Sequence, residues 1–143
     1  MTMRRLKDDR SFFLYLILEF ITFGIYPIYF MWKLIADVNV ACEDDGKKTP
    51  GILKLILFTL LTCGVYAIVW EYKLVARLNA YCERRKISSA ITPSGWLAWS
   101  LAGALLCSIG VWVAFYKLIE LTNDVMNDYN TMLYRRESEP ISE

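Results

Sequence analysis

The chain has 143 residues, 56% of them hydrophobic and 15% aromatic, with a net charge of +1 and a mean hydropathy of +0.33. That length allows one domain, and the near-neutral charge gives no global field for nucleic acid, which is not an expected partner. There is no histidine, so the commonest general base and the commonest metal ligand are missing.

Residues 1–10 form a basic, polar tail. A basic arm before an apolar run is the layout of a secretory leader. Here the run is too long and no small-residue cleavage site follows, so a retained anchor is expected. Thr2 is not glycine and the tail closes Pro140-Ile141-Ser142-Glu143, so no lipidation motif is present. Unit one (11–48) starts at Ser11 and carries the apolar block Phe12–Trp32. Unit two (51–88) follows Thr49-Pro50 and carries the block Ile52–Trp70. Unit three (94–136) follows Thr92-Pro93-Ser94 and carries the block Trp96–Tyr116, before a second polar tail at 137–143. In each start signal a hydroxyl can cap free backbone N–H groups, and proline fits the first helical turn. At about 1.5 Å per residue, a block of about twenty residues covers a hydrocarbon core of roughly 30 Å. The expected fold class is an all-α membrane protein, multi-pass in the cell (inner) membrane with lipids as its partners. Polar helical extensions run on to about Cys42, Arg85 and Tyr134.

The units are copies of one another. A shift of 40 residues lays Thr22, Gly24, Tyr26, Lys33, Leu34, Asn39, Cys42 and Glu43 on Thr62, Gly64, Tyr66, Lys73, Leu74, Asn79, Cys82 and Glu83. A further shift of 44 lays Gly51, Cys63, Tyr72, Lys73, Leu74 and Asn79 on Gly95, Cys107, Tyr116, Lys117, Leu118 and Asn123. Each block holds a break: Thr22-Phe23-Gly24-Ile25-Tyr26-Pro27, Thr62-Cys63-Gly64-Val65-Tyr66, and Cys107-Ser108-Ile109-Gly110. Pro27, present in unit one alone, is expected to kink or break its helix near Phe23. The glycines are expected to admit a close neighbouring helix. The blocks end on Trp32-Lys33, Tyr72-Lys73 and Tyr116-Lys117, aromatic rings at headgroup level beside lysines that can snorkel.

The stretches from Thr22 to Leu34 and from Thr62 to Leu74 resemble the domain-of-unknown-function 4234 family of small bacterial membrane proteins, which carry repeated Thr-x-Gly-Ile-Tyr…Tyr-Lys-Leu segments. The resemblance covers about residues 11–83. Unit three departs from it, keeping only Tyr116-Lys117-Leu118 and Asn123. The resemblance implies a bilayer location and supplies no catalytic residues.

Two threadings compete. With one span per unit, the basic residues divide nine against seven, a weak bias toward a cytoplasmic N-terminus. With each unit a re-entrant hairpin turning at the Gly-Tyr cluster, every polar segment lies on one side. That explains why Tyr-Lys-Leu…Asn recurs after each block. Block length, and the want of a strong turn signal in unit three, favour three spans, with the hairpins as the alternative.

Among single residues, Glu19 stands out, about eight residues into block one, where a carboxylate costs a few kcal/mol on insertion scales. It either holds helices together as a neutral, hydrogen-bonded carboxyl, within the chain or across an oligomer axis, or lines an ion or proton path with Thr22 one turn on. Thr22, Gly24, Pro27, Thr62 and Gly64 complete the candidate intramembrane set. Lys33, Lys73, Lys117, Arg84, Arg85 and Lys86 are the candidate headgroup contacts. Glu43-Asp44-Asp45-Gly46 reads as a solvated turn and lacks the rest of a calcium loop. Asn39, Asn79 and Asn123 are expected to cap or to bond between helices. No catalytic constellation, metal site or cofactor motif is present. The expected function is non-enzymatic, in a membrane protein whose helices assemble as a homo-oligomer to enclose Glu19, Thr22, Thr59 and Ser108. A small channel or carrier is the alternative.

Overall fold

Each Thr-x-Gly stops one helix and starts the next. In the computed structural model, which describes residues 4–105 and 109–138, α1 (Phe12–Ile21) ends at Thr22 and α2 (Ile25–Ala41) begins after Gly24. In unit two, α3 (Ile52–Leu61) ends at Thr62 and α4 (Val65–Arg85) begins after Gly64. The two residues between the helices are both left-handed: Phe23 at φ 51° and Gly24 at 87°, Cys63 at 50° and Gly64 at 92°. The Gly24 N–H bonds the Glu19 carbonyl (3.1 Å) and the Phe23 N–H that of Phe20 (3.4 Å). Gly64 and Cys63 repeat this on Thr59 (2.8 Å) and Leu60 (3.4 Å). This is the Schellman pattern that closes a helix C-terminus. The threonine then serves both helices. The Thr22 hydroxyl donates to the Leu18 carbonyl (2.7 Å) and accepts from the Tyr26 N–H (2.9 Å); Thr62 does the same with Phe58 (2.7 Å) and Tyr66 (2.9 Å). The N–H groups of the turn are thus paired locally, inside apolar sequence.

The arms then fold back on each other. The Tyr15 ring lies 5.0 Å from that of Phe30, and the Trp70 indole N–H donates to the Pro50 carbonyl at 3.3 Å. In unit three, α5 (Pro93–Leu105) and α6 (Ile109–Ser138) pack backbone to backbone: a Cβ on Gly103 would sit 2.4 Å from the Gly110 Cα. Cys107 and Ser108 of the expected third break lie outside the described residues. The preferred reading of one span per block therefore gives way to helical hairpins. Block length counted residues without their path, and paired left-handed residues reverse a chain rather than bend it. Among the described residues the chain is all-helical, and no helix is long and apolar enough to cross a membrane.

Two smaller expectations also change. Pro27 does not cause the break: it sits in the first turn of α2, where its missing N–H is harmless. At the equivalent place Ala67 leaves the same turn intact, its N–H bonding the Gly64 carbonyl at 3.1 Å. Gly24 and Gly64 serve conformation rather than packing, since a Cβ on either meets nothing within 4 Å. Close packing is the role of Gly103 and Gly110.

Beyond the hairpins, the three long helices bundle through equivalent seams. Buried Leu34, Ile35, Val38 and Ala41 on α2, with Cys42 at its C-cap, match Leu74, Val75, Leu78, Tyr81 and Cys82 on α4, and Leu118, Ile119, Thr122, Val125 and Met126 on α6. The i, i+1, i+4, i+7, i+8 spacing makes one apolar stripe per helix, facing the core. The recurring asparagines tie the units into a ring. Asn39 takes the Thr49 N–H (2.8 Å) and donates to its carbonyl (3.2 Å), at the entry to α3. Asn79 donates to the Ile91 carbonyl (2.8 Å) before α5. Asn123 closes the circle on Arg10 before α1, accepting at 3.1 Å and donating at 2.9 Å. Residues 4–10, a polar tail by composition, are laid into the body: Leu6 is buried, and its N–H and carbonyl both bond the Asn130 amide at 2.8 Å. Of the start signals, Ser11 and Thr92 act as read, accepting from Leu14 (3.4 Å) and Gly95 (3.1 Å). Thr49 instead gives its backbone to Asn39 and its hydroxyl to Arg77.

Candidate functional site

The apolar residues left in the open belong almost entirely to the three hairpins. Among the described residues, the exposed large hydrophobic side chains fall within 13–32, 53–72 and 99–116, with Tyr134 as the exception. Phe23 (96% exposed) and Phe20 (81%) at the first turn have almost no protein around them. In chain order all except Tyr134 fall within the hairpin segments that close on Lys33, Lys73 and Lys117, which occupy equivalent places in the repeat with exposed Trp32, Tyr72 and Tyr116 beside them. The Lys33 ammonium lies 5.2 Å from the Trp32 ring centroid and that of Lys117 5.6 Å from Tyr116. Lys117 also pairs with Glu120 at 2.7 Å.

Between the three hairpins runs an axial cavity of about 440 Å³, lined among others by Tyr15, Thr59, Glu71, Ser100, Trp112 and Phe115. Its wall is apolar except for a few oxygens. Glu19 and Thr59, equivalent in the repeat, each carry a buried side-chain oxygen with no hydrogen-bond partner, Oε2 and Oγ1 respectively. The Glu19 and Glu71 carboxyls both lie within electrostatic reach of Tyr15. Sequence reasoning placed Glu19 inside apolar surroundings but did not single out Glu71, at the end of block two. Thr22, Thr62, Gly24, Gly64 and Pro27 are grouped at the turns and do not join this cavity.

Around the polar body the charges are paired with care. Arg77 is buried on α4 and reaches Asp45 (2.7 and 2.9 Å), Asn39 Oδ1 (2.7 Å), Thr49 Oγ1 (2.8 Å) and the Cys42 carbonyl (3.1 Å), as well as the Lys47 carbonyl. Burial pushes the Asp45 carboxyl up, but the bonds from Arg77 and the Lys47 N–H outweigh it and hold the group below its ordinary range. Asp45 is therefore a structural partner rather than part of a solvated turn. At the position equivalent to Arg77, buried Asp37 on α2 binds Arg4 (2.7 Å) and Arg10 (2.6 Å). The third equivalent is apolar Leu121. None of these pairs was read from the sequence, where the only trace is a charge set between buried seam positions. Arg85 pairs with Asp128 at 2.8 Å, an oxygen that also accepts from the Tyr81 hydroxyl at 2.9 Å. Arg84 is exposed, and Lys86 is the left-handed C-cap of α4. Cys42 and Cys82 are buried, with thiols pushed by desolvation up to about 12 and about 11.

Comparison with curated proteins and with solved structures gives no match for this chain. Two overlapping stretches match a single protein family, residues 10–80 and 51–124. The first takes units one and two and the second units two and three, so the divergent third unit is included. The chain belongs to the family described as Domain of unknown function (DUF4234).

Proposed function

We propose that this chain is a non-enzymatic membrane protein that inserts three helical hairpins into one leaflet and keeps its polar body on a single side. The observation that carries this reading is the confinement of the exposed large apolar side chains, Tyr134 apart, to the three hairpin segments that close on Lys33, Lys73 and Lys117. An exposed apolar surface of this extent needs a partner, and rings beside lysines at one level are the signature of a headgroup boundary. The depth fits one leaflet. Arms of 10 residues, as in α1 and α3, reach about 15 Å, half of a hydrocarbon core of roughly 30 Å. The local pairing of each turn's N–H groups, in part by its threonine, lowers the cost that a bilayer sets on irregular backbone.

The reading replaces a multi-pass arrangement with a one-sided one, and a pore across the bilayer is no part of it. It does not depend on self-association: Thr22 is satisfied within its own turn, and the unpartnered Glu19 Oε2 and Thr59 Oγ1 are buried within one chain. The test is depth-resolved quenching in phosphatidylcholine vesicles, using variants that retain Trp112 or Trp32 alone. Trp112, three residues past the start of α6, is quenched best by labels deep in the acyl chains. Trp32 is quenched best by labels near the headgroups. Equal, weak quenching of both from all depths overturns the proposal.

A further inference from the structure

We propose that the feet of the first two hairpins are a matched pair of binding pockets for anionic phospholipid, each taking one headgroup phosphate above and an acyl chain below. The proposal rests on the one-leaflet reading, which sets these pockets at headgroup level.

The two pockets are related by the repeat. One, of about 380 Å³, lies against Tyr26, Phe30 and Lys33; the other, of about 450 Å³, lies against Tyr66, Trp70 and Lys73. These are the same positions displaced by 40 residues. The entry segment before each hairpin supplies further cations. The first pocket gathers Arg4, Arg5, Lys7, Arg10 and Lys33 around Asp37. The second gathers Lys47, Lys48, Lys73, Arg77 and Arg84 around Asp45. The two sets reach the same balance, five cations to one carboxylate, from different residues.

The carboxylate in each pocket is already taken, by Arg4 and Arg10 in the first and by Arg77 in the second. Among the described residues no carboxylate reaches Lys7, Lys33, Lys47, Lys48, Lys73 or Arg84. Cations so gathered, unpaired and above an apolar wall, recognise a phosphate monoanion carried on a hydrocarbon chain. The third foot is built otherwise. Gly110 replaces the tyrosine, the arms touch through Gly103, and Lys117 is paired with Glu120.

The experiment counts lipids retained by the full chain in nonionic detergent, by native mass spectrometry, with phosphatidylglycerol or phosphatidylcholine added. Two phosphatidylglycerol molecules per chain are expected, with phosphatidylcholine retained far less. The double variants Lys47→Ala/Lys48→Ala and Lys7→Ala/Lys33→Ala each lose one of the two, with affinity at the altered foot falling about thirtyfold for two cations removed. Melting temperatures close to wild type show that the variants still fold. Equal retention of both lipids, or two phosphatidylglycerols kept by either variant, overturns the proposal. Displacement by millimolar inorganic phosphate assigns the pockets to free phosphate and overturns the lipid assignment. Deep quenching of Trp112 in neutral vesicles is independent of headgroup charge. If it holds while selectivity fails, this proposal alone is lost; if it fails, the one-leaflet reading is lost too.

Discussion

Replacing Arg77 by leucine tests whether the polar body is held by its buried charge or only by its seams. The Arg77 and Asp45 side chains are each 7% exposed and meet at 2.7 Å. Leucine fits the position sterically, because the repeat places fully buried Leu121 at the equivalent point of α6. The loss in Arg77→Leu is therefore polar. It strands the Asp45 carboxylate and the Cys42 and Lys47 carbonyls, at about 3–5 kcal/mol for one partner removed from a buried pair. That lowers the melting temperature by on the order of 10 °C, read by circular dichroism in nonionic detergent. Arg77→Leu/Asp45→Asn recovers part of it, because no buried charge remains. The two proteins also respond oppositely to acid. In the wild type, Asp45 titrates below its ordinary 3.8, so its contribution is present above about pH 4 and is lost as pH falls through the folded value. Without Arg77 burial is opposed only by the Lys47 N–H and by Arg84, so the Asp45 value rises above that in the wild type, and Arg77→Leu gains relative stability as pH falls toward 4. A cost for Arg77→Leu below about 1 kcal/mol, the range of an exposed pair, refutes the reasoning, as does a double variant no more stable than the single.

The hairpin turns give further predictions. Pro27→Ala leaves the first turn intact and shifts stability by less than about 1 kcal/mol, since Ala67 already serves in the second; helix content and melting temperature check it. Thr62→Val removes both bonds of its hydroxyl and costs about 2 kcal/mol in detergent, where Thr62→Ser costs little. Gly103→Ala forces a Cβ to 2.4 Å from backbone atoms of α6 and costs at least the roughly 1–3 kcal/mol of an overpacked core. Faster amide exchange confined to α5 and the start of α6 is its mark. Asn123→Ala frees the Arg10 backbone and costs about 1–3 kcal/mol, with loss of protection at the Arg10 amide.

The sequence made the repeat, the helical class and the family legible, because identities at fixed offsets survive without any knowledge of the path. It misled on the path itself. A block of about twenty apolar residues looks the same whether it runs straight or doubles back, and the deciding feature is a left-handed residue at Phe23 and Cys63, types that carry no such preference. Asn39, Asn79 and Asn123 were visible as a recurring set, but their partners are backbone atoms of Thr49, Ile91 and Arg10, which leave no residue-type signal. Asp37 and Arg77 share a position yet not an identity, so the repeat concealed them. Glu19 was legible because a carboxylate among apolar neighbours is conspicuous; Glu71, at the edge of its block, was not.

Three hairpins in one leaflet require the segments between them to share one side. Cys42 and Cys82 are buried and cannot report it, so single cysteines belong at exposed Glu43 and Ser88, with Cys63 and Cys107 changed to serine. An impermeant thiol reagent applied to sealed vesicles of one orientation is predicted to label both positions or neither, and reversing the orientation reverses the result for both together. Labelling of Glu43→Cys and Ser88→Cys from opposite faces contradicts the hairpins and restores three crossings.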